Sequence, residues 1–182
     1  MTPIIETNRL SLRRIERTDA QGIFEAYAQD PEVTTYMSWA PHQSLEDTFQ
    51  FLDLVLQHWE EKTEFTYIIL PKGQSQLIGC MGASIKGCRA HCGYVLARQA
   101  WGNGYTTEAF RALIPELFGL EEVKRIEAIC DLQNIASARV MEKAGLEHEG
   151  ILKSFLNIPA FEEARDVHMY GLAKKSWQTL IQ

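Results

Sequence analysis

The sequence predicts a single mixed α/β domain, of the α+β kind, built on a mostly antiparallel sheet. The chain has 182 residues, a typical length for one domain. Hydrophobic residues make up 46% and charged residues 23% of it, as in ordinary globular proteins. Helical and strand-like apolar patterns alternate along the chain without an internal repeat or a linker. We therefore expect residues 1–182 to form one domain in which helices flank about six to seven strands.

The first third of the chain is expected to hold one strand followed by helices. Residues 6–15 alternate apolar and polar side chains, which indicates a strand. A helical pattern covers residues 20–29, and Asp30–Pro31 ends it and begins a further helical turn. In residues 45–62, apolar side chains recur every three or four positions behind a capping box at Ser44–Asp47. This last pattern predicts a long amphipathic helix.

The middle of the chain is expected to be an antiparallel meander. Residues 65–70, 77–85 and 90–96 are apolar or alternating runs, and short turns separate them. Short connections join antiparallel neighbours, because parallel strands need a long crossover.

The last part of the chain returns to alternating helices and strands. Thr106 or Thr107 can cap a helix that runs to about Phe118. A short helix, for which Asn134 can be the N-cap, ends at Lys143, with Gly145 as the residue after its C-terminus. The remaining strands are expected at residues 125–130, 147–152 and 166–172.

Composition and charge exclude several classes of function. Lys and Arg number 18 against 24 Asp and Glu, a formal charge of −6, which argues against a nucleic-acid partner. The apolar runs are too short to span a membrane, and the first residues do not resemble a secretory signal. The four cysteines are therefore expected to be reduced, in a cytoplasmic protein. Cys88, His91 and Cys92 lack a second close pair of ligands, so we expect no metal site there.

A glycine-containing loop between a predicted strand and a predicted helix is the most informative segment. Gly102 and Gly104 let the backbone turn tightly and present successive N–H groups to one point, and the following helix adds its positive end. Such a loop can bind a phosphate or diphosphate, although an ordinary strand-to-helix turn explains two glycines as well. Tyr105 stands where a P-loop needs lysine, and the mid-chain position does not fit a dinucleotide fold.

Two ordered motifs resemble the GNAT superfamily of acetyl-CoA-dependent N-acetyltransferases. Residues 99–104, Gln-Ala-Trp-Gly-Asn-Gly, resemble its Gln/Arg-x-x-Gly-x-Gly/Ala signature. The longer strings at residues 101–109 and 134–146, and the opening at residues 6–13, are similar to the RimJ/RimL-like branch, which acetylates ribosomal-protein N-termini. The similarity therefore extends over nearly the full chain.

The resemblance implies where acetyl-CoA binds. In this family the cofactor lies in a cleft where two neighbouring parallel strands splay apart, here residues 90–96 and 125–130. The diphosphate would lie on the loop backbone, and the pantetheine arm would pair with the edge of the first strand. The residues implied in binding are Val95, Leu96, Gln99, Trp101, Gly102, Asn103, Gly104, Tyr105, Thr106 and Asn134.

The resemblance also suggests catalytic residues, with two departures from the family pattern. Met141 stands where many members have a proton-donating tyrosine, so Ser137, the candidate in the RimJ/RimL-like branch, is the expected donor. Its alternative role is to cap the helix that it opens. His91 stands where many members have a glutamate base, and an imidazole can serve as one. Its alternative is a partly exposed strand histidine, and Glu108 is either a water-relay carboxylate or a response to the helix dipole.

We therefore expect an N-acetyltransferase that moves an acetyl group from acetyl-CoA to a primary amine by direct attack in a ternary complex. The acceptor would be a protein N-terminus or a small amine, and Tyr36, Trp39 and His42 are candidates to line its pocket, whereas Trp59 is expected in the core. The alternative is a catalytically silent acyl-CoA-binding or sensing domain. The residues do not decide between a monomer and a homodimer.

Overall fold

The computed structural model describes residues 1–180, which fold into one eight-stranded sheet with helices on both faces. The strands are β1 (Ile4–Glu6), β2 (Leu10–Arg14), β3 (Glu64–Pro71), β4 (Gly79–Lys86), β5 (Arg89–Leu96), β6 (Arg125–Asp131), β7 (Glu147–Leu156) and β8 (Arg165–Ala173). The helices are α1 (Ala20–Ile23), α2 (Pro31–Thr34), α3 (Leu45–Glu61), α4 (Tyr105–Gly119), α5 (Ile135–Ala144) and α6 (Lys174–Leu180).

The strand order is β1-β2-β3-β4-β5-β6-β8-β7, and only β5 and β6 pair in parallel. The mixed, mostly antiparallel sheet is therefore confirmed, with one strand more than the expected maximum. The extra strand is β1, which lies almost wholly before the strand expected over residues 6–15 and pairs with β2 in a hairpin; residues 7–9, counted in that expected strand, connect the two. An alternating pattern does not reveal a turn that lies within it.

Two helical segments differ from expectation. The helix expected over residues 20–29 continues from α1 as a π-helical turn, Phe24–Ala28. Helix α6 was not expected, because its seven residues are too few to show an apolar period. Trp177 attaches α6 to the fold, with its ring centroid 5.1 Å from that of Phe118.

The core lies in two layers, one on each face of the sheet. Phe110 and Leu113 of α4 pack on one face, and Ile23 and Leu52 pack on the other; all four are fully buried. Burial of one such side chain contributes about 1.5–3 kcal/mol. Trp59 packs edge-on against Phe65 and Tyr67, as expected for a core residue. The two layers hold β5 in the centre of the sheet from both sides.

Strands β5 and β6 pair over a short stretch and then separate. The pairs are Arg89 with Arg125, Ala90 with Ile126, and His91 with Glu127. Both strands continue, to Leu96 and Asp131, but no further pair joins them. The backbone of residues 92–96 thus has a free edge on the side of β6, which is the expected splayed pair.

Candidate active site

The loop that follows β5 is tightly turned and braced by its own side chain. Gly102 and Gly104 have φ values of 77° and 74°, a region that favours glycine. The Asn103 amide donates to the carbonyl oxygens of Ala100 and Trp101, at 3.2 and 3.0 Å. The side chain of Asn103 therefore fixes the loop, and its backbone remains the part suited to ligand binding.

Helix α4 begins earlier than expected and without a side-chain cap. The prediction that Thr106 or Thr107 caps this helix is wrong, because Gly104 is the N-cap residue and Tyr105 is the first helical residue. No side chain accepts a hydrogen bond from the first turn. The first N–H groups of a helix have no partner within it, and they carry the positive end of the helix dipole. Together with the glycine loop, they form a site suited to an anion.

The N-terminal hairpin supports this loop through contacts that the sequence patterns did not indicate. Arg9 Nη1 donates to the Asn103 carbonyl oxygen at 3.0 Å, and the Arg9 guanidinium lies over the Tyr105 ring. Glu108 Oε2 accepts from Arg9 Nε at 2.6 Å, and Glu108 Oε1 accepts from the Thr7 hydroxyl at 2.6 Å. Burial opposes ionisation of Glu108, but these hydrogen bonds outweigh it and lower the pKa of the carboxyl. Glu108 therefore acts as a structural anchor in this arrangement.

The end of β5 leads directly into the loop. Val95 and Leu96 are buried beyond the point where β5 and β6 separate, and Gln99 is exposed on the short turn that follows. The Trp101 indole N–H donates to the Leu96 carbonyl oxygen at 2.7 Å. This bond uses one of the two lone pairs of that oxygen and ties the loop to the free edge of β5.

Ser137 lies at the first turn of α5, beside the separated strands. Asn134 is the N-cap of α5, and its Oδ1 accepts from the Ser137 N–H at 3.1 Å, as expected for a cap. The Ser137 hydroxyl is thus free of the capping role, and its oxygen lies 2.8 Å from the Tyr94 hydroxyl. Burial raises the pKa of Tyr94 despite the hydrogen bond to Ser137, so the phenol stays protonated. Met141, on the same helix, is fully buried in the core.

His91 lies on the opposite face of β5 from Tyr94, because side chains alternate along a strand. Its Nδ1 is 3.9 Å from Oε1 of Glu127, and 42% of its side chain is exposed. Glu127 is itself buried and accepts hydrogen bonds from Arg89 and Arg125. Burial lowers the pKa of His91, with Glu127 opposing, so its imidazole is neutral at neutral pH. The two candidate catalytic residues therefore do not touch; they lie on either side of β5.

Aromatic side chains of the segment between α2 and α3 make two separate contacts. The rings of Trp39 and His42 are 5.2 Å apart, and His42 Nδ1 is 2.8 Å from the Thr48 hydroxyl. The ring of Tyr36 stacks on Phe161, which lies between β7 and β8, at 6.2 Å.

Among residues 1–180, no helix has the length and apolar character needed to cross a bilayer.

Comparison with known proteins identifies the family. A family profile described as an acetyltransferase (GNAT) domain matches residues 9–147. The chain is 31% identical over 159 residues to the uncharacterized N-acetyltransferase YoaA of Bacillus subtilis (strain 168), an alignment that covers 86% of this chain and 89% of YoaA.

Solved structures have the same fold. A GNAT-family acetyltransferase from Bacillus anthracis superposes with a TM-score of 0.82 at 27% identity, covering 94% of this chain and 99% of that one. The ribosomal L7/L12 alpha-N-protein acetyltransferase RimL, solved with coenzyme A, superposes with a TM-score of 0.85 at 20% identity, covering 95% and 99%. From the matched profile and the relative, this chain belongs to the GNAT family of acetyltransferases.

Proposed function

We propose that this protein transfers the acetyl group of acetyl-CoA to the neutral nitrogen of a primary amine, by direct attack in a ternary complex. The observation that carries the proposal is the uncapped N-terminus of α4 beside the free edge of β5. The acceptor in this proposal is the α-amine of a protein N-terminus or a small amine, as in the RimJ/RimL-like branch.

The loop fits the diphosphate of coenzyme A. A Cβ atom added to Gly102 would meet nothing within 4 Å, and one added to Gly104 would meet only an Arg9 nitrogen at 3.7 Å. Neither glycine is therefore required by packing inside the protein, and both face open space. Positive φ values allow successive backbone N–H groups to face one point, and we expect those of residues 102–107 to donate to an anion there. Gln99 and Trp101 directly precede this stretch of the loop.

The free edge of β5 fits an extended ligand. The backbone of residues 92–96 is unpaired toward β6 and can pair with the amides of a pantetheine arm, as an added strand would. Asn134 and Ser137 lie on the turn and helix that follow β6, and the Ser137 hydroxyl contacts Tyr94 of β5.

Acetyl-CoA supplies an acetyl group activated as a thioester. The N–H of Val95 or Leu96 can donate to the negative charge that develops on the carbonyl oxygen. His91 would take the proton of the attacking amine, and the Ser137 hydroxyl would give a proton to the departing sulfur. Tyr94 can donate to the Ser137 oxygen and so direct the Ser137 proton outward.

The chemistry of the acceptor favours an α-amine over a lysine side chain. An α-amine has a pKa of about 7.7–8.0, whereas that of a lysine is about 10.4. A larger fraction of the α-amine is therefore neutral at pH 7 and ready to attack. The proposal needs no strong base for such an acceptor, which suits an imidazole such as His91.

The second candidate function is a silent acyl-CoA-binding domain. Met141 favours it, because this buried thioether replaces the tyrosine donor of many family members. Binding of acetyl-CoA without release of free CoA would identify this case.

A release assay separates the two functions. Peptides with a free N-terminus, their N-acetylated counterparts and spermidine are offered with acetyl-CoA, and free CoA is measured with a thiol reagent. Cys88 is an exposed free cysteine that would react as well, so the assay uses Cys88→Ser protein. We expect CoA release with free but not with blocked N-termini. No release above background with any amine would refute the transferase, and tight acetyl-CoA binding alongside it would support the silent domain.

A further inference from the structure

Two histidines meet on the last pair of strands, far along the chain from the glycine loop. His148 Nε2 lies 2.9 Å from His168 Nδ1, and the two rings are nearly perpendicular with centroids 4.9 Å apart. The pair is exposed to solvent. Nothing in the acetyl-transfer chemistry proposed above uses either ring.

The register of β7 and β8 brings the two rings together. His148 pairs with Tyr170, but the register shifts before Gly150, which pairs with Met169. Gly150 has φ 151°, and the extra residue at this bulge bends β7. Because His168 lies two residues before Tyr170 on the same face of β8, His148 and His168 are diagonal neighbours, a position from which aromatic side chains can touch.

The surroundings hold both rings in place. Tyr170 is buried, and its ring lies 5.1 Å from that of His148. The Tyr170 hydroxyl donates to Glu142 Oε1 at 3.0 Å. This bond fixes the tyrosine ring against which His148 packs. A pre-formed pair of ligands loses little side-chain freedom when it binds an ion.

We propose that His148 and His168 form a two-nitrogen chelate for a divalent late transition-metal ion of the Cu²⁺ or Ni²⁺ class. Metal–imidazole bonds are about 2.0–2.1 Å long. Two nitrogens 2.9 Å apart then subtend an angle of about 90° at a shared ion. That angle suits the tetragonal sites of Cu²⁺ and Ni²⁺ better than tetrahedral Zn²⁺.

Binding of the metal ion to two neutral imidazoles leaves the charge on each ring unchanged. Each neutral imidazole carries one N–H, and one of these protons now lies in the N···N hydrogen bond. When the ion takes both facing lone pairs, that proton moves to the other nitrogen of its own ring. Within residues 1–180, no group of three or more His, Cys, Asp or Glu side chains is arranged for a metal. Water therefore fills the remaining coordination positions.

The test is titration of tag-free Cys88→Ser protein with NiCl₂ by calorimetry. We expect one equivalent of Ni²⁺ to bind, with affinity at least about tenfold weaker in His148→Ala and in His168→Ala. His58→Ala is the matched control, since it removes a partly exposed histidine elsewhere, and its affinity should be unchanged. Cu²⁺ should bind more tightly than Ni²⁺, and Zn²⁺ more weakly than either. Absence of the one-to-one event, or its survival in both alanine variants, overturns the proposal.

A second measurement does not depend on how the variants fold. In wild-type protein labelled with ¹⁵N-histidine, Zn²⁺ serves as a diamagnetic probe. Nε2 of His148 and Nδ1 of His168 should shift together during its titration. Shifts confined to other histidines would contradict the chelate, whatever the outcome for acetyl transfer.

Discussion

The Tyr94 hydroxyl lies 2.8 Å from the Ser137 hydroxyl and 3.1 Å from the Ser137 carbonyl oxygen. This contact joins the strand that carries the free edge to the helix that follows the neighbouring strand. It gives Ser137 a defined partner at the gap between β5 and β6, whereas Asn134 provides the cap that was the alternative role of Ser137.

Ser137→Ala should lower kcat by about 100-fold, because a positioned general acid contributes at least that much. The KM for acetyl-CoA should change little. Tyr94→Phe, which removes only the hydroxyl, should lower kcat by about tenfold.

A double-mutant cycle shows whether Tyr94 acts through Ser137. In the Ser137→Ala background, Tyr94→Phe should have almost no further effect on kcat, because the two groups act as one unit. Independent, multiplicative effects would mean that Tyr94 does something else.

Gly102→Glu and Gly104→Glu should abolish acetyl-CoA binding, measured by calorimetry, with the fold retained. Each variant adds a carboxylate to the anion site and strains a residue with positive φ. Gly73→Glu and Gly87→Glu are matched controls, because both glycines also have positive φ and open surroundings, but in turns of the meander. Equal loss of binding in the controls would attribute the effect to strain alone.

Glu108→Ala should raise the KM for acetyl-CoA by about tenfold and leave kcat nearly unchanged. The carboxylate anchors Thr7 and Arg9, which support the loop, so its loss should loosen the cofactor site. A steady-state comparison with Arg9→Ala, which should behave alike, tests this reading. A large fall in kcat at unchanged KM would favour the water-relay role instead.

Acidification should destabilise the protein partly through His91. Burial lowers the pKa of this imidazole in the folded state, with Glu127 opposing. The unfolded chain therefore binds a proton at this ring more readily than the folded chain does. The contribution of His91 to the free energy of unfolding is present above the ordinary histidine pKa of about 6.5 and is lost as pH falls below it. The melting temperature of His91→Gln should fall less than that of wild type between pH 6.5 and 5.

His42→Gln is a parallel test, because burial also lowers the pKa of His42. Each substitution should remove part of the acid sensitivity. Identical pH profiles for wild type and both variants would contradict the account of these two rings.

Local sequence patterns predicted the elements around the loop, because strand and helix periods and the glycine pair lie within short stretches. The meander, the loop and the Asn134 cap were all expected in these places. The hairpin of β1 and β2 was missed, since the three residues of β1 are too few to show a strand pattern and the alternating run over residues 6–15 hides the turn. The contacts of Arg9 with Glu108 and of Tyr94 with Ser137 join residues 99 and 43 positions apart, so only the folded chain reveals them. The same is true of His148 and His168, which the pairing of β7 with β8 brings together.

The most direct test of the central claim is a crystal structure of this protein with coenzyme A. The account predicts diphosphate oxygens within hydrogen-bonding distance of the N–H groups of residues 102–107. It also predicts the pantetheine arm along residues 92–96, in the gap before β6. A diphosphate bound elsewhere, or β5 and β6 paired beyond His91 with no gap between them, would contradict it.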